Sequence, residues 1–179
     1  YIELNQQWRN FALSALAQPR MNDFFNRVER LPEIKFTGLR QQIGVTPLFY
    51  ESETSAGYFS REYMYDNLPD FDAARFDSFH QILYPKNYFG WLNLTPRIGG
   101  RYGYYSSTTG TGTSLNEQTR FIFNTGTEAS VKLSRVFPQY KSNIFDARGL
   151  KHVVVPSVNY VFVPKPNARP NSIPQFDYD

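Results

Sequence analysis

The stretch from Trp91 to Tyr105, WLNLTPRIGGRYGYY, alternates between apolar and polar positions along its whole length. Successive side chains of a β-strand point to opposite faces of the sheet, so the alternation predicts one strand with an apolar face and a polar face. The apolar set is Leu92, Leu94, Pro96, Ile98, Gly100, Tyr102 and Tyr104, and the opposite set is Trp91, Asn93, Thr95, Arg97, Gly99, Arg101, Gly103 and Tyr105.

The length of this run helps to decide whether the strand belongs to a soluble protein or to a membrane protein. Strands of soluble proteins usually span about 5–6 residues. A tilted strand needs about 9–11 residues to cross the hydrocarbon core of a bilayer. At roughly 3.3 Å per residue, the run from Trp91 to Tyr105 would be close to 50 Å long. This length favours a strand that crosses a membrane and projects beyond it.

Two further long segments show the same alternation. They are TRFIFNTGTEASVKLSRVF (residues 119–137) and GLKHVVVPSVNYVFV (residues 149–163). Weaker strands are predicted at Tyr1–Leu16, Glu33–Tyr50, Ala56–Tyr65 and Ala74–Tyr84. The first two change phase partway, which indicates a bulge or an incorrect assignment. The chain is therefore predicted to be all-β: a segment of an antiparallel transmembrane β-barrel with about seven or eight long strands, residues 1–179 belonging to a single barrel domain.

Longer predicted connections alternate with shorter ones along the chain. In order they are AQPRMNDFFNRVERLP, ESETS, DNLPDFDA, PKNYF, STTGTGTSLNEQ, PQYKSNIFD and PKPNARPNSIPQ. Bacterial outer-membrane barrels have short periplasmic turns and longer extracellular loops. The first, third, fifth and seventh links are therefore predicted to lie outside the cell.

Composition and motifs argue against several other classes of protein. The net charge of +3 is small and the basic residues are scattered, so nucleic-acid binding is not expected. No signal peptide and no apolar run long enough for a spanning helix are found. The chain has no cysteine, and His80 and His152 each lack a second histidine at metal-ligand spacing. No G-x-S-x-G motif occurs. We expect no enzyme activity, no metal and no cofactor.

Charged residues on the polar faces carry the functional prediction. A basic side chain facing lipid at the bilayer midplane costs about 2–4 kcal/mol, so these residues are expected to face a lumen. The lumen-facing candidates are Asn93, Thr95, Arg97, Arg101, Arg120, Asn124, Glu128 and Lys132. The lipid-facing candidates are Leu92, Leu94, Ile98, Tyr102, Phe121, Phe123, Val131 and Leu133. Two alternatives stay open: the charges stiffen the wall by pairing with one another, or they line a path for a polar or anionic passenger.

An ordered set of sequence blocks resembles a known family. The blocks are VERLPEI, YPKNYFGWLNLTPRIGGRYGYYS, TRFIFNTGTEASVKLSRVF and GLKHVVVPSVNYVFVPKPN, and they cover most of Leu31 to Pro166. They are similar to the barrel domain of the LptD family, also called OstA or Imp, the lipopolysaccharide-assembly proteins of the bacterial outer membrane. No single block is specific by itself; the resemblance depends on their order.

The resemblance implies a function and partners. Members of the family join a periplasmic β-jellyroll to a barrel of about 26 strands, within the known range of such barrels. An LptE-like lipoprotein plugs the lumen, and a periplasmic bridge protein delivers lipopolysaccharide through the jellyroll. The lipid part then reaches the outer leaflet through a lateral opening, in contact with membrane lipid. On this basis we expect a component of the lipopolysaccharide-assembly translocon in the cell outer membrane of a Gram-negative bacterium.

The chain departs from the family pattern in several respects. It has no jellyroll, no signal peptide and no paired cysteines, and it supplies too few strands to close such a barrel. The matching blocks look central in the family's barrel, so Pro96 and Pro156 are not equated with residues of its lateral opening. We expect an ordered portion of a longer chain or a truncated homologue. The main alternative is a general porin or receptor barrel for polar solutes, followed by a soluble all-β binding module and a phospholipase-like enzyme.

Overall fold

The computed structural model describes residues 1–21, 27–63, 70–110, 115–142 and 146–176. These residues form eleven β-strands and one turn of 3₁₀ helix, Pro170–Ser172. The strands are β1 (Ile2–Gln7), β2 (Phe11–Gln18), β3 (Arg27–Gln42), β4 (Phe49–Glu62), β5 (Phe71–Leu83), β6 (Lys86–Tyr88), β7 (Leu92–Tyr105), β8 (Gln118–Val131), β9 (Leu133–Ser142), β10 (Ala147–Val154) and β11 (Ser157–Phe162). In the described part of the chain, no helix is long and apolar enough to cross a membrane.

The strands follow one another in an antiparallel sheet. Their order across the sheet is β1-β2-β3-β4-β5-β7-β8-β11, and the short β6 pairs with β7 beside the end of β5. The all-β, antiparallel class predicted from the alternation is therefore confirmed. Across the described residues the sheet is open: β1 is one edge, β11 is the other, and they do not pair with each other.

Strand β7 agrees closely with its prediction. It spans Leu92–Tyr105 and is paired on both sides, with β5 and β6 on one side and with β8 on the other. Pro96 lies between the residues of β7 that pair with β5 and those that pair with β6. It is therefore at a junction in the ladder, where a missing N–H group is tolerated.

The two long segments at 119–137 and 149–163 form one hairpin with a joint in each arm. The first arm is interrupted at Lys132, between β8 and β9, and the second at residues 155–156, between β10 and β11. Val154 lies opposite Leu133 and Ser157 opposite Ser130, so one register continues across the joint. Pro156 accepts a hydrogen bond from the Val131 amide at 3.1 Å but has no N–H to donate.

Two of the weaker strand predictions were wrong in the same way. Tyr1–Leu16 contains two strands, with a turn closed by a 2.7 Å bond from the Trp8 amide to the Phe11 carbonyl. Glu33–Tyr50 also contains a turn, at residues 43–48, where Gly44 has a φ of 57°. In Tyr1–Leu16 the change of phase marks the end of a strand. In Glu33–Tyr50 the pairing of β3 with β4 also shifts register between Gly38 and Gln41, so an irregularity of the bulge type inside β3 precedes the turn.

Several predicted connections also need correction. ESETS lies inside β4, and residues 86–88 of PKNYF form β6. Residues 138–142 of PQYKSNIFD belong to β9, residues 27–32 of the first link to β3, and residues 71–73 of DNLPDFDA to β5. The connections between strands nevertheless alternate between the two ends of the sheet. The last residues of β2, β4 and β7 lie at one end of the sheet, whereas the turns at 8–10 and 43–48 lie at the other. Which end faces the cell exterior stays a prediction.

The segment after β11, residues 163–176, crosses the face of the sheet that carries Arg97 and Arg101. Its Phe176 ring lies 5.3 Å from the ring of Phe59 and 5.3 Å from that of Phe71, between centroids. With Val28 and Ala73, these rings form the one cluster of buried apolar residues among those described. The Arg61 guanidinium also donates to the Gln175 carbonyl at 2.7 Å. The apolar core therefore lies at one end of the sheet, under this segment.

Candidate functional site: the polar face of the sheet

The two faces of the sheet differ in how far their side chains are exposed. The apolar side chains are the more exposed, which is the reverse of most soluble proteins. We call the face that carries Arg97 and Arg101 the polar face, and the face that carries Ile98 the apolar face. On the apolar face the exposed fractions are 50% for Ile98 and 60% for Tyr160, whereas Asp77 on the polar face is only 8% exposed. Further exposed apolar side chains on that face are Ile2, Leu4, Phe11, Leu13, Ile34, Phe36, Tyr58, Phe76, Ile82, Tyr102, Phe121, Val158 and Phe162.

The structure separates the two sets of residues predicted from the sequence. Asn93, Thr95, Arg97 and Arg101 on β7, with Arg120, Asn124 and Glu128 on β8, lie on the polar face. Leu92, Leu94, Ile98 and Tyr102 on β7, with Phe121, Phe123 and Val131 on β8, lie on the apolar face. Lys132 lies in the joint between β8 and β9, and Leu133 begins β9. Contact of these faces with water or lipid stays a prediction.

Two of the predicted arginines are bonded to other strands, Arg101 to the adjacent β5 and Arg97 across β8 to β11. The Arg101 Nε donates to both carboxylate oxygens of Asp77 on β5, at 2.8 and 2.9 Å. The Arg97 guanidinium donates to the side-chain oxygen of Asn159 on β11 at 2.7 Å. These contacts favour the stiffening alternative for Arg97 and Arg101, because each one ties β7 to another strand.

A row of hydrogen bonds crosses the polar face at one level. Arg40 pairs with Glu51 at 3.1 Å, Glu51 accepts from the Gln81 amide at 2.7 Å, and Gln81 accepts from the Asn124 amide at 3.3 Å. Gln81 and Asn124 meet across β7 because Gly99 stands between them. A Cβ atom at Gly99 would lie 2.7 Å from the Asn124 side-chain oxygen and 2.8 Å from the His80 carbonyl. The absence of a side chain at this position is therefore required by its neighbours.

Three other predicted lumen-facing residues have no side-chain partner among the described residues. Arg120, Glu128 and Lys132 form no ion pair or side-chain hydrogen bond with any residue that the structure describes. Arg120 is half-buried, and its Nε is buried without a hydrogen-bond partner. These three residues keep the second alternative open, in which the polar face contacts a passenger.

Arg120 and Arg101 line a cavity of about 320 Å³ on the polar face. Its other lining residues are Arg75, Asp77, Gly103, Tyr105 and Ile122. The Arg75 guanidinium lies 3.8 Å from the Glu33 carboxylate and 4.6 Å above the centre of the Phe59 ring. The cavity thus brings three arginines together with one aspartate.

The sequence interpretation missed Arg75 and Asp77. In FDAARFDSFHQIL the charged positions 75 and 77 alternate with Ala74, Phe76 and Ser78, so the same alternation was present in β5. Their closeness to Arg101 and Arg120 depends on the pairing of β5 with β7 and of β7 with β8. A single sequence does not reveal that register.

A small polar cluster on the apolar face was also missed. His80 is hydrogen-bonded on both ring nitrogens, to the Tyr50 hydroxyl at 2.6 Å and to the Ser78 hydroxyl at 2.8 Å. Ser78 in turn bonds the Thr54 hydroxyl at 2.8 Å. The four side chains satisfy one another, which lets them occupy an otherwise apolar surface.

Among the described residues, no group of three or more histidine, aspartate or glutamate side chains is arranged to hold a metal ion. A comparison with protein families found no family model that matches this chain, and a comparison with curated proteins found no match either. The fold therefore defines the chain only as an antiparallel all-β protein with one polar and one apolar face.

Proposed function

We propose that this chain forms part of the wall of an outer-membrane β-barrel that takes part in lipopolysaccharide assembly. One observation carries the membrane part of the proposal, namely the inverted burial of the two faces. Ile98, Phe121 and Tyr160 are each at least half exposed, whereas Asp77 and Gln81 are buried. Soluble monomers rarely expose a continuous apolar surface of this kind, and a barrel wall in lipid requires one.

The lengths and edges of the strands support the same proposal. Strands β3, β4, β5, β7 and β8 span 13 to 16 residues each, more than a tilted strand needs to cross a bilayer. An open sheet edge cannot remain unpaired in hydrocarbon, because its N–H and C=O groups would lack partners. In a membrane, β1 and β11 would therefore each pair with a further strand, as in a larger barrel.

The assignment to lipopolysaccharide depends on the resemblance and on the polar face. The blocks that resemble the LptD family fall on β3, on β6 and β7, on β8 and β9, and on β10 and β11. Arg120 and Lys132 add positive charge without a partner in the described wall. Lipopolysaccharide carries phosphate and acidic sugars, which such residues would bind. A lipoprotein plug and a periplasmic bridge protein belong to this proposal as partners.

Cysteine scanning along residues 91–105 tests the proposal. The chain has no cysteine, so each introduced thiol reports on its own position. In membranes, we expect a water-soluble reagent to label cysteines at Asn93, Thr95 and Arg97, and a lipid-soluble reagent to label cysteines at Leu94 and Ile98. Protection of Leu94 and Ile98 from both reagents would mean that protein covers the apolar face, and the membrane proposal would fail.

Crosslinking separates lipopolysaccharide assembly from passive transport. A photoreactive residue placed at Thr95 or Asn93, on the polar face, should crosslink to lipopolysaccharide in growing cells. A matched position on the apolar face, Leu94, should not react with its sugar portion. A porin or receptor barrel would give no lipopolysaccharide adduct at Asn93 or Thr95.

A further inference from the structure

The cavity beside Arg120 contains more positive than negative charge. Arg75, Arg101 and Arg120 line it together with a single carboxylate, that of Asp77. The Asp77 carboxylate is already paired, because Arg101 Nε donates a hydrogen bond to both of its oxygens. The carboxylate therefore compensates one arginine and leaves the Arg120 charge without an opposite charge on the cavity wall.

The position of Arg120 differs from that of Arg97, a residue of the same face. Arg97 is hydrogen-bonded to Asn159 and does not line the cavity. Arg120 Nε is buried without a hydrogen-bond partner. A buried N–H group is almost always paired in a folded protein, with protein groups or with water or an ion. Arg120 therefore lines the cavity with a positive charge that no described residue neutralises.

The size and shape of the cavity indicate which ligand fits. A volume of about 320 Å³ lies at the lower end of the range for small-molecule sites and exceeds what an inorganic ion needs. Gly103 lines the cavity without a side chain, and a Cβ atom there would lie 3.3 Å from the ring of Tyr105, another lining residue. The planar guanidinium group matches phosphate and carboxylate oxygens in a two-point contact.

We propose that the cavity lined by Arg75, Arg101 and Arg120 is a binding site for a phosphate or carboxylate group carried by a sugar. The inference depends on the proposed function only for the source of that sugar, which there is the saccharide portion of lipopolysaccharide. Arg120 would contact the anion directly. Arg101 would be a positioning residue, because it pairs with both oxygens of Asp77 and so offsets the one negative charge on the cavity wall that would repel the anion.

Saturation-transfer NMR on the chain in nonionic detergent micelles tests the site, with glucose 1-phosphate as the probe and glucose as the uncharged control. At constant ionic strength, we expect transfer to glucose 1-phosphate and none to glucose. Arg120→Gln should weaken the binding of glucose 1-phosphate at least tenfold. The matched variant Arg97→Gln, on the same face but outside the cavity, should bind like the parent chain.

Two outcomes would overturn the site: no transfer to glucose 1-phosphate, or equal loss of binding in Arg120→Gln and Arg97→Gln. Far-ultraviolet circular dichroism checks that each variant forms strands. Should Arg120→Gln fail that check, Arg120→Lys replaces it, because it keeps the charge but removes the buried Nε and the two-point contact. Binding by Arg120→Lys is expected to be severalfold weaker, and unchanged binding would count against the site.

Competition with purified lipopolysaccharide identifies the source of the sugar. Displacement of glucose 1-phosphate supports the lipid-linked source and the proposed function together. Binding of glucose 1-phosphate without displacement supports the anion site with a soluble sugar phosphate as its ligand, and removes this support from the proposed function. Conversely, a lipopolysaccharide crosslink at Thr95 would survive even if glucose 1-phosphate did not bind, so the two proposals can fail separately.

Discussion

On the polar face, Gln81 is buried and hydrogen-bonded to Glu51 on one side and Asn124 on the other. On the apolar face, the next residue of the same strand, Ile82, is 39% exposed. In most soluble proteins the apolar side is buried, because removing apolar surface from water is the main favourable term in folding. Here hydrogen bonds and ion pairs connect the side chains of the polar face, and the side chains of the apolar face remain exposed.

The one apolar cluster among the described residues shows how limited internal packing is. It consists of Val28, Phe59, Phe71, Ala73 and Phe176, at one end of the polar face. The rest of the sheet has paired backbones and bonded polar side chains but little packed apolar surface. The comparison of the two faces predicts that substitutions have very different effects on neighbouring residues of one strand.

The largest effect is expected where the polar face has a true apolar core. Phe176→Ala removes a ring that contacts Phe59 and Phe71, and a buried phenylalanine replaced by alanine typically costs about 3–5 kcal/mol. We expect segment 163–176 to detach, which limited proteolysis would detect as new cleavage near Arg169. Phe89→Ala, at an exposed aromatic in a turn, is the control and should leave the proteolysis pattern unchanged.

The next effect tests the apolar face directly. Ile98→Arg places a charge where the proposed function puts lipid, at a cost of about 2–4 kcal/mol near the midplane. Urea unfolding in lipid vesicles, followed by tryptophan fluorescence, measures this loss. Thr95→Arg is the matched control, since Thr95 lies opposite Glu128 on the polar face. It should change stability by less than about 0.5 kcal/mol. Equal loss in both variants would show that the faces are not distinguished by a membrane.

A smaller effect separates two adjacent glycines of β7. Gly99→Ala should destabilise by about 1–3 kcal/mol, because its Cβ would force the Asn124 side chain and the His80 carbonyl to move. Gly100→Ala should have little effect, since the nearest atoms are those of the Phe121 ring at an ordinary contact distance of 3.4 Å. The same unfolding experiment measures both. A larger loss for Gly100→Ala would contradict the arrangement of the polar row.

The smallest pair of effects distinguishes arginines that stiffen the wall from one available to a ligand. Arg101→Gln removes the partner of the buried Asp77 and should cost about 0.5–1.5 kcal/mol, because the half-exposed Arg101 side chain is partly screened by solvent. Arg120→Gln should change stability by less than about 0.5 kcal/mol, because no described residue depends on it. If Arg120→Gln destabilised as much as Arg101→Gln, Arg120 would be part of the wall.

The alternation identified the strands best where it was uninterrupted. It placed β7 within one residue of its observed start because every position from Leu92 to Tyr105 keeps its phase. It failed at ESETS, whose polar residues were interpreted as a turn. In the structure Glu51 and Glu53 pair with Arg40 and Lys35 on the neighbouring strand, so a polar stretch is stable inside β4. Cross-strand partners, which a single sequence does not show, determined that result.

The site could be predicted only in part for the same reason. The face of each candidate follows from its place in the alternation, so Arg97, Arg101 and Arg120 were correctly assigned to one set. The cavity requires in addition that β5 and β7 pair with Asp77 opposite Gly103. Strand register is set by many weak contacts along both strands, and it decides which charges neutralise each other and which do not.

The Asn167 side chain has a consequence for assembly. Its amide accepts a hydrogen bond from the Phe121 amide at 2.7 Å and donates to the Thr119 carbonyl at 3.2 Å, beyond the point where β11 stops pairing with β8. One side chain thus reproduces the bonding of a backbone strand and caps this stretch of sheet edge. Unpaired edges invite other chains to add on, and a capped one resists this. Asn167 would therefore disfavour pairing of this edge with other chains, and so reduce misassembly and aggregation while the protein folds.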